Sequence, residues 1–255
     1  MARILVPYHL DEYLSGLDVP LDIDSTVVVD LPEGDTWQRM AFLYRRVADV
    51  VAADARDGGT PIVLSGDCTT SFGVMAALQR EGVDPGIVWF DAHGDVQTLE
   101  TSSSGYLGGM PLRMLVGYRP ELMAEPLGLR AVPEERAVLV DARDLDPPEV
   151  EYLATAAIGR SGVYELSAQE LPDGPLYLHV DLDVVDPSEL PGQTIPVAGG
   201  PGLDATFAAI NRVLETGRVA AVGLACTWNV NQGKEAAERV RPYLENALAA
   251  ARNLR

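Results

Sequence analysis

Along the chain, short apolar runs alternate with segments whose hydrophobic residues recur every three to four positions. The runs occupy residues 3–6, 27–29, 61–64, 86–90, 137–140, 162–164, 176–180 and 219–224. Most are continuous rather than alternating, the pattern of strands covered on both faces, as in a parallel sheet. The helical spacing is clearest over 37–55, where Met40, Leu43, Val47 and Val50/Val51 form one stripe, and it returns at 72–80, 149–158, 203–215 and 234–252. Strand–helix alternation of this kind predicts a three-layer α/β/α domain around an open, mostly parallel sheet of eight strands. In such sheets ligands bind beyond the carboxyl ends of the strands, so the polar residues that follow each run are the candidates for chemistry.

Composition narrows the picture. With 255 residues, 47% of them hydrophobic, and no repeat or linker-like break, a single domain over 1–255 is the simplest organisation. A formal charge of −19 argues against nucleic acid or an anionic membrane surface as partner. No apolar run approaches the roughly 20 residues of a membrane span. The first residues carry neither the apolar stretch nor the cleavage site of a leader peptide. Two cysteines, Cys68 and Cys226, are too few for a disulfide framework and fit a reducing, cytoplasmic setting.

Four runs end in unusual polar clusters. Residues 61–64 lead into Ser65-Gly66-Asp67-Cys68, and 87–90 into Asp91-Ala92-His93-Gly94-Asp95. Residues 137–140 lead into Asp141-Ala142-Arg143-Asp144-Leu145-Asp146, and 176–178 into His179-Val180-Asp181-Leu182-Asp183. In an extended chain alternate residues share a face, so Asp91, His93 and Asp95 converge, as do His179, Asp181 and Asp183. Carboxylates held that close repel one another unless cations neutralise them, and too few basic residues lie nearby to do so. A capped helix start would need one aspartate, not a set. Oxygen-rich ligation with some nitrogen suits Mn²⁺, Mg²⁺ or Fe²⁺, with Zn²⁺ as an alternative.

These motifs, in this order, resemble the arginase/agmatinase (ureohydrolase) family. The resemblance is carried by Ser65-Gly66-Asp67-Cys68, by Trp89-Phe90-Asp91-Ala92-His93-Gly94-Asp95, and by Ser104-Gly105-Tyr106-Leu107-Gly108-Gly109-Met110-Pro111. It continues through Arg143-Asp144-Leu145-Asp146-Pro147, Asp181-Leu182-Asp183-Val184-Val185-Asp186-Pro187 and Pro196-Val197-Ala198-Gly199-Gly200. It implies the same α/β/α fold, a pair of Mn²⁺ ions (Zn²⁺ or Fe²⁺ as alternatives) and hydrolysis of a linear C–N bond by metal-bound hydroxide. It further implies Asp91 and Asp181 as bridging ligands, His93 and Asp183 on one metal, and Asp95 with Cys68 on the other. Members of the family are often trimers or hexamers, so a homo-oligomer is an open expectation.

The sequence departs from the family pattern at three places. Cys68 stands where a histidine ligand is expected, as in a branch acting on N-hydroxyarginine. Gly108 stands where arginases carry a histidine that shuttles protons or orients substrate, which leaves His179 as the candidate catalytic imidazole or, alternatively, a support for a ligand carboxylate. Trp228 stands where the family sets a carboxylate against the guanidinium, and its indole could stack on a planar head group or serve as packing. Asp146 and Ser104 match contacts to the amino-acid end of the substrate, while Gln97 and Tyr106 replace asparagines there. The expectation is therefore an amidinohydrolase of the ureohydrolase type, acting on a guanidino, N-hydroxyguanidino or amidino amino-acid derivative. The competing reading is a catalytically degenerate relative that binds a small molecule or regulates a partner.

Overall fold

The structure, a computed structural model, describes residues 1–230 and 232–252. Its strands are β1 (Arg3–Val6), β2 (Tyr8–His9), β3 (Glu12–Tyr13), β4 (Ser25–Thr26), β5 (Ile62–Ser65), β6 (Gly86–His93), β7 (Ala137–Asp144), β8 (Gly159–Ser161), β9 (Leu176–Asp181) and β10 (Val219–Ala225). Its α-helices are α1 (Thr36–Arg56), α2 (Ser71–Arg80), α3 (Pro111–Leu115), α4 (Ala124–Leu127), α5 (Pro147–Leu153), α6 (Leu203–Leu214) and α7 (Gly233–Arg252). Eight strands form one sheet in the order β4-β1-β5-β10-β9-β6-β7-β8, and each neighbouring pair is parallel. The remaining two, β2 and β3, form a small antiparallel hairpin directly after β1.

The continuous apolar runs follow from burial on both faces. Along β6, Ile87 and Trp89 join the core beneath α1 and α2, while Val88 and Phe90 join the opposite core with α6 and α7. Helix α1 starts at a reciprocal cap: Asp35 Oδ1 accepts from the Gln38 amide at 2.9 Å, and Gln38 Oε1 accepts from the Asp35 amide at 3.2 Å. The α1 stripe buries Met40, Leu43, Val47 and Val51, whereas Val50 turns to solvent.

Two expectations shift at the sheet edges. The run at 27–29 lies just beyond the short strand β4, and Val28 is 56% exposed. The run at 162–164 likewise follows β8, with Tyr164 71% exposed. An edge strand is paired on one side only, so its position depends on its neighbour's register rather than on its own apolar content.

The chain leaves β5, skips two positions and enters β6; β9 and β10 later fill the gap. The carboxyl ends of β5, β10, β9 and β6 therefore stand side by side, where an open α/β sheet offers its binding crevice. No helix among the described residues is long and apolar enough to cross a membrane.

Candidate metal centre

Each of the four central strands delivers a polar group at its end. After β5, Asp67 caps the short turn Cys68–Thr70: its Oδ1 accepts from the Thr69 amide at 2.7 Å, and its carboxylate also accepts from the Leu10 amide. This fixes Cys68, whose thiol donates to Asp181 Oδ2 at 3.0 Å and lies 3.7 Å from Asp91 Oδ2. From β6, His93 Nδ1 is 3.3 Å from Asp91 Oδ1 and 3.1 Å from Asp183 Oδ2. Asp95 follows with a left-handed φ of 53°, a conformation that non-glycine residues hold where surrounding structure enforces it. From β9, Asp181 Oδ1 accepts from the Asp183 amide at 2.8 Å, and after β10 Thr227 Oγ1 donates to the same oxygen at 2.6 Å.

These four carboxylates are almost wholly buried, and no lysine or arginine pairs with Asp91, Asp95, Asp181 or Asp183 among the ion pairs of the described residues. Burial, then the charge of Asp183, pushes Asp181 up to about 7. Burial, then Asp91, pushes Asp183 up to about 6. Asp91 and Asp95 are likewise raised by burial and by neighbouring aspartates. Burial opposes a charge on His93, but its contacts with Asp183 and Asp91 outweigh that and hold its pKa up at about 12. At this site the buried atoms His93 Nε2, Asp95 Oδ2 and His179 Nε2 have no hydrogen-bond partner among the described residues. Crowded anions with unpartnered nitrogen and oxygen donors beside them are what a divalent-cation site needs. The donor set fits: Asp91, His93 and Asp183 converge as one potential ligand group, and Cys68, Asp91 and His179 as another.

A cavity of about 250 Å³ opens above these residues. Among the expected substrate contacts, Gln97, Ser104, Tyr106 and Asp146 line it. Gln97 Nε2 donates to Asp146 Oδ2 at 2.8 Å, and Ser104 Oγ accepts from the Tyr106 amide at 3.2 Å.

Two expectations are corrected. Trp228 does not reach the cavity: it is 3% exposed, packs in the core and donates its indole N–H to Asp18 O at 3.1 Å. Side chains alternate at the end of β10, so Thr227 faces the site and Trp228 turns away. His179 is not a cavity residue either. It sits two positions deeper in β9 than Asp181, 1% exposed, stacked on Trp89 at 3.7 Å between ring centres, with Nδ1 3.1 Å from Ser71 Oγ. Burial holds its pKa down at about 3, so it stays neutral.

Several site residues were not anticipated. His9 lines the cavity, its Nε2 3.1 Å from the Tyr106 hydroxyl and its ring stacked on the phenol. It follows the β1 run directly, so the same search beyond strand ends that found the aspartates would reach it. A Cβ added at Gly108 would overlap the Tyr106 ring, so the phenol occupies the space that a side chain at 108 would take. Glu149, buried in the first turn of α5, accepts from the Val96 amide at 3.2 Å and the Asp146 amide at 3.0 Å, tying the loop after Asp95 to the cavity rim. A Cβ on Gly94 would come within 2.6 Å of Glu149 Oε1, which explains glycine between two candidate ligands. Arg143 donates to Val184 O at 3.0 Å and Val197 O at 2.7 Å, and so anchors the loop that carries Asp183.

Comparison with known proteins places this arrangement. The model of the Arginase family matches residues 8–227. The chain is 30% identical over 192 residues to an arginase of Eremothecium gossypii, covering 69% of this chain and 48% of that protein. It is 33% identical over 171 residues to an arginase of Bacillus subtilis, covering 62% of this chain and 57% of that protein. The matched stretch thus spans about half the length of these curated relatives. Among solved structures, arginase from Bacillus cereus superposes with a TM-score of 0.80 at 22% identity, covering 96% of this chain and 97% of that one. Formimidoylglutamase from Bacillus subtilis superposes with 0.73 at 16% identity, covering 97% and 85%. These similarities establish the shared α/β/α fold.

Proposed function

The chain belongs to the arginase family, and on that premise we propose that it is a hydrolase of a linear C–N bond in a small amino-acid derivative with a guanidino, N-hydroxyguanidino or amidino head group. The observation that carries this reading is the set of four buried aspartates, a thiol and His93, converging from distant segments with too little positive charge to neutralise them.

Asp91, His93 and Asp183 would hold one divalent cation, and Cys68, Asp95 and Asp181 would serve a second, with Asp91 and Asp181 the candidates to serve both. Such ions, when bound, supply a water acidified toward neutral pKa and a sink for the negative charge that develops on the attacked centre. The chain's own residues do the rest. Thr227 and the Asp183 amide hold Asp181 Oδ1, so that its other oxygen faces Cys68. Asp146, steadied by Gln97, offers a carboxylate at the rim to a substrate ammonium group, and Ser104 lies on the same side for a substrate carboxylate. C–N cleavage must deliver a proton to the departing nitrogen. With no side chain at 108, the Tyr106 hydroxyl, kept protonated by burial and by nearby Asp67 and hydrogen-bonded to His9 Nε2, is a cavity group that could relay that proton together with His9. The cavity's size suits a compact amino-acid derivative rather than a nucleotide or peptide.

The test is to load the purified chain with Mn²⁺, Fe²⁺ or Zn²⁺ and screen amino-acid guanidines, N-hydroxyguanidines and amidines for release of urea, hydroxyurea or ammonia. Turnover that Asp181→Asn abolishes supports the reading. Failure to bind any of the three ions overturns it, and firm ligand binding without turnover would favour the degenerate relative.

A further inference from the structure

We infer that His179 is itself a ligand of the second cation, forming with Cys68 and Asp91 a sulfur–nitrogen–oxygen site that differs in chemical softness from the Asp91–His93–Asp183 site. This rests on the reading above that the crowded acids hold cations, and it adds a ligand and a metal preference.

A ring nitrogen of His179, the Cys68 sulfur and an Asp91 carboxylate oxygen all lie within 4.8 Å of one another. The imidazole is 1% exposed, and its Nε2 is a buried atom with no hydrogen-bond partner among the described residues. Its other nitrogen is engaged: Nδ1 is 3.1 Å from Ser71 Oγ and 3.4 Å from the Tyr177 hydroxyl, and those two hydroxyls are 2.8 Å apart. An Nδ1–H donated to Ser71 leaves the Nε2 lone pair free, which is how metal-bound histidines are set, with the far nitrogen tied to a fixed acceptor. Stacking on Trp89 fixes the ring plane. A purely packing histidine has no need of an unsatisfied nitrogen in the interior. The donor chemistry then separates the two positions. Thiolate plus imidazole favours Zn²⁺, whereas carboxylates with His93 accept Mn²⁺ readily.

The experiment uses the whole chain, stripped with chelator and titrated with Zn²⁺ and with Co²⁺. It reads stoichiometry and affinity by calorimetry and the sulfur-to-cobalt charge-transfer absorbance, independently of turnover. The unaltered protein is expected to bind two ions and to show the thiolate band. His179→Gln should weaken one ion by at least the roughly 10–100-fold that loss of even an outer partner costs, and should shift the band. Cys68→Ser should weaken the same ion and abolish the band, while Asp183→Asn should weaken the other ion and leave the band intact. Ser71→Ala keeps the imidazole but removes its Nδ1 partner, and it should weaken the same ion by about tenfold without unfolding the chain. If His179→Gln is folded, or Ser71→Ala is used in its place, and the band and both affinities are unchanged, the inference is overturned. One tightly bound ion without a thiolate band in the unaltered protein also overturns it, yet leaves the hydrolase reading standing. Binding of no ion at all overturns both.

Discussion

The Tyr106 ring fills the space that any side chain at Gly108 would need. The two positions are therefore a coupled pair: glycine at 108 lets the phenol lean over the site and reach His9. Gly108→Ala should destabilise the protein by about 1–3 kcal/mol through overpacking. Adding Tyr106→Ala should recover part of that loss in a double-mutant cycle read by thermal melting. Additive losses would mean that the two positions are independent.

If Tyr106 delivers the proton to the leaving nitrogen, Tyr106→Phe should lower kcat by roughly 10²-fold or more with little change in KM, since the ring and its packing remain. His9→Gln should lower kcat by less, because the phenol keeps its place. Steady-state kinetics on whichever substrate the screen identifies separates the two cases.

Thr227 and Trp228 are neighbours with opposite tasks, and their substitutions should diverge. Thr227→Val removes the donor to Asp181 and should weaken metal binding by about tenfold while leaving the fold intact. Trp228→Phe removes the bond to Asp18 O and should cost about 1–3 kcal/mol of stability without altering metal affinity. Calorimetric metal titration beside thermal melting reads both.

The metal-free protein should lose stability as pH rises from about 6.5 to 8. His93, pushed to about 12, carries the decline across this window, and Asp181, pushed to about 7, adds to its lower end, because both bind protons more tightly folded than unfolded. Asp183, pushed to about 6, has lost its share below the window. Such groups contribute stability that is present at low pH and lost as pH climbs through the folded-state values. His179, held at about 3, has the opposite sign, but its slope lies below the ordinary histidine range and so outside this window. Each proton contributes at most about 1.4 kcal/mol per pH unit. Saturating Mn²⁺ or Zn²⁺ should remove the decline, because cations replace the protons among the acids. Thermal midpoints across pH, with and without metal, decide the matter, and a flat metal-free profile contradicts the raised values.

Glu149 holds the loop after Asp95 through the Val96 amide and touches neither cation group directly. Glu149→Gln keeps the shape but exchanges an acceptor for a donor, and it should lower metal affinity by roughly 10–100-fold with the fold preserved. An unchanged affinity would show that the loop holds its position without this carboxylate.

The central strands were legible because burial on both faces leaves continuous apolar runs, and the aspartates stood out because like charges cluster only at a cost. Edge strands β4 and β8 were misplaced by a few residues because their neighbours, not their composition, define them. Trp228 stayed open in the sequence between head-group contact and packing because one residue of register decides which face a side chain takes. His9 escaped notice because its partner, Tyr106, is distant in sequence.

The linear pattern by itself determined the α/β/α layering, the parallel sheet and the run of acids at the strand ends, since these depend on local periodicity and on charge spacing within a few residues. Tertiary structure alone decided that His179 lies behind the thiol rather than in the cavity, that Thr227 and not Trp228 meets Asp181, and that Tyr106 takes the room left by Gly108. Those outcomes depend on how separate strands register and which volumes remain between them, and no stretch of chain contains that information until its neighbours are packed against it.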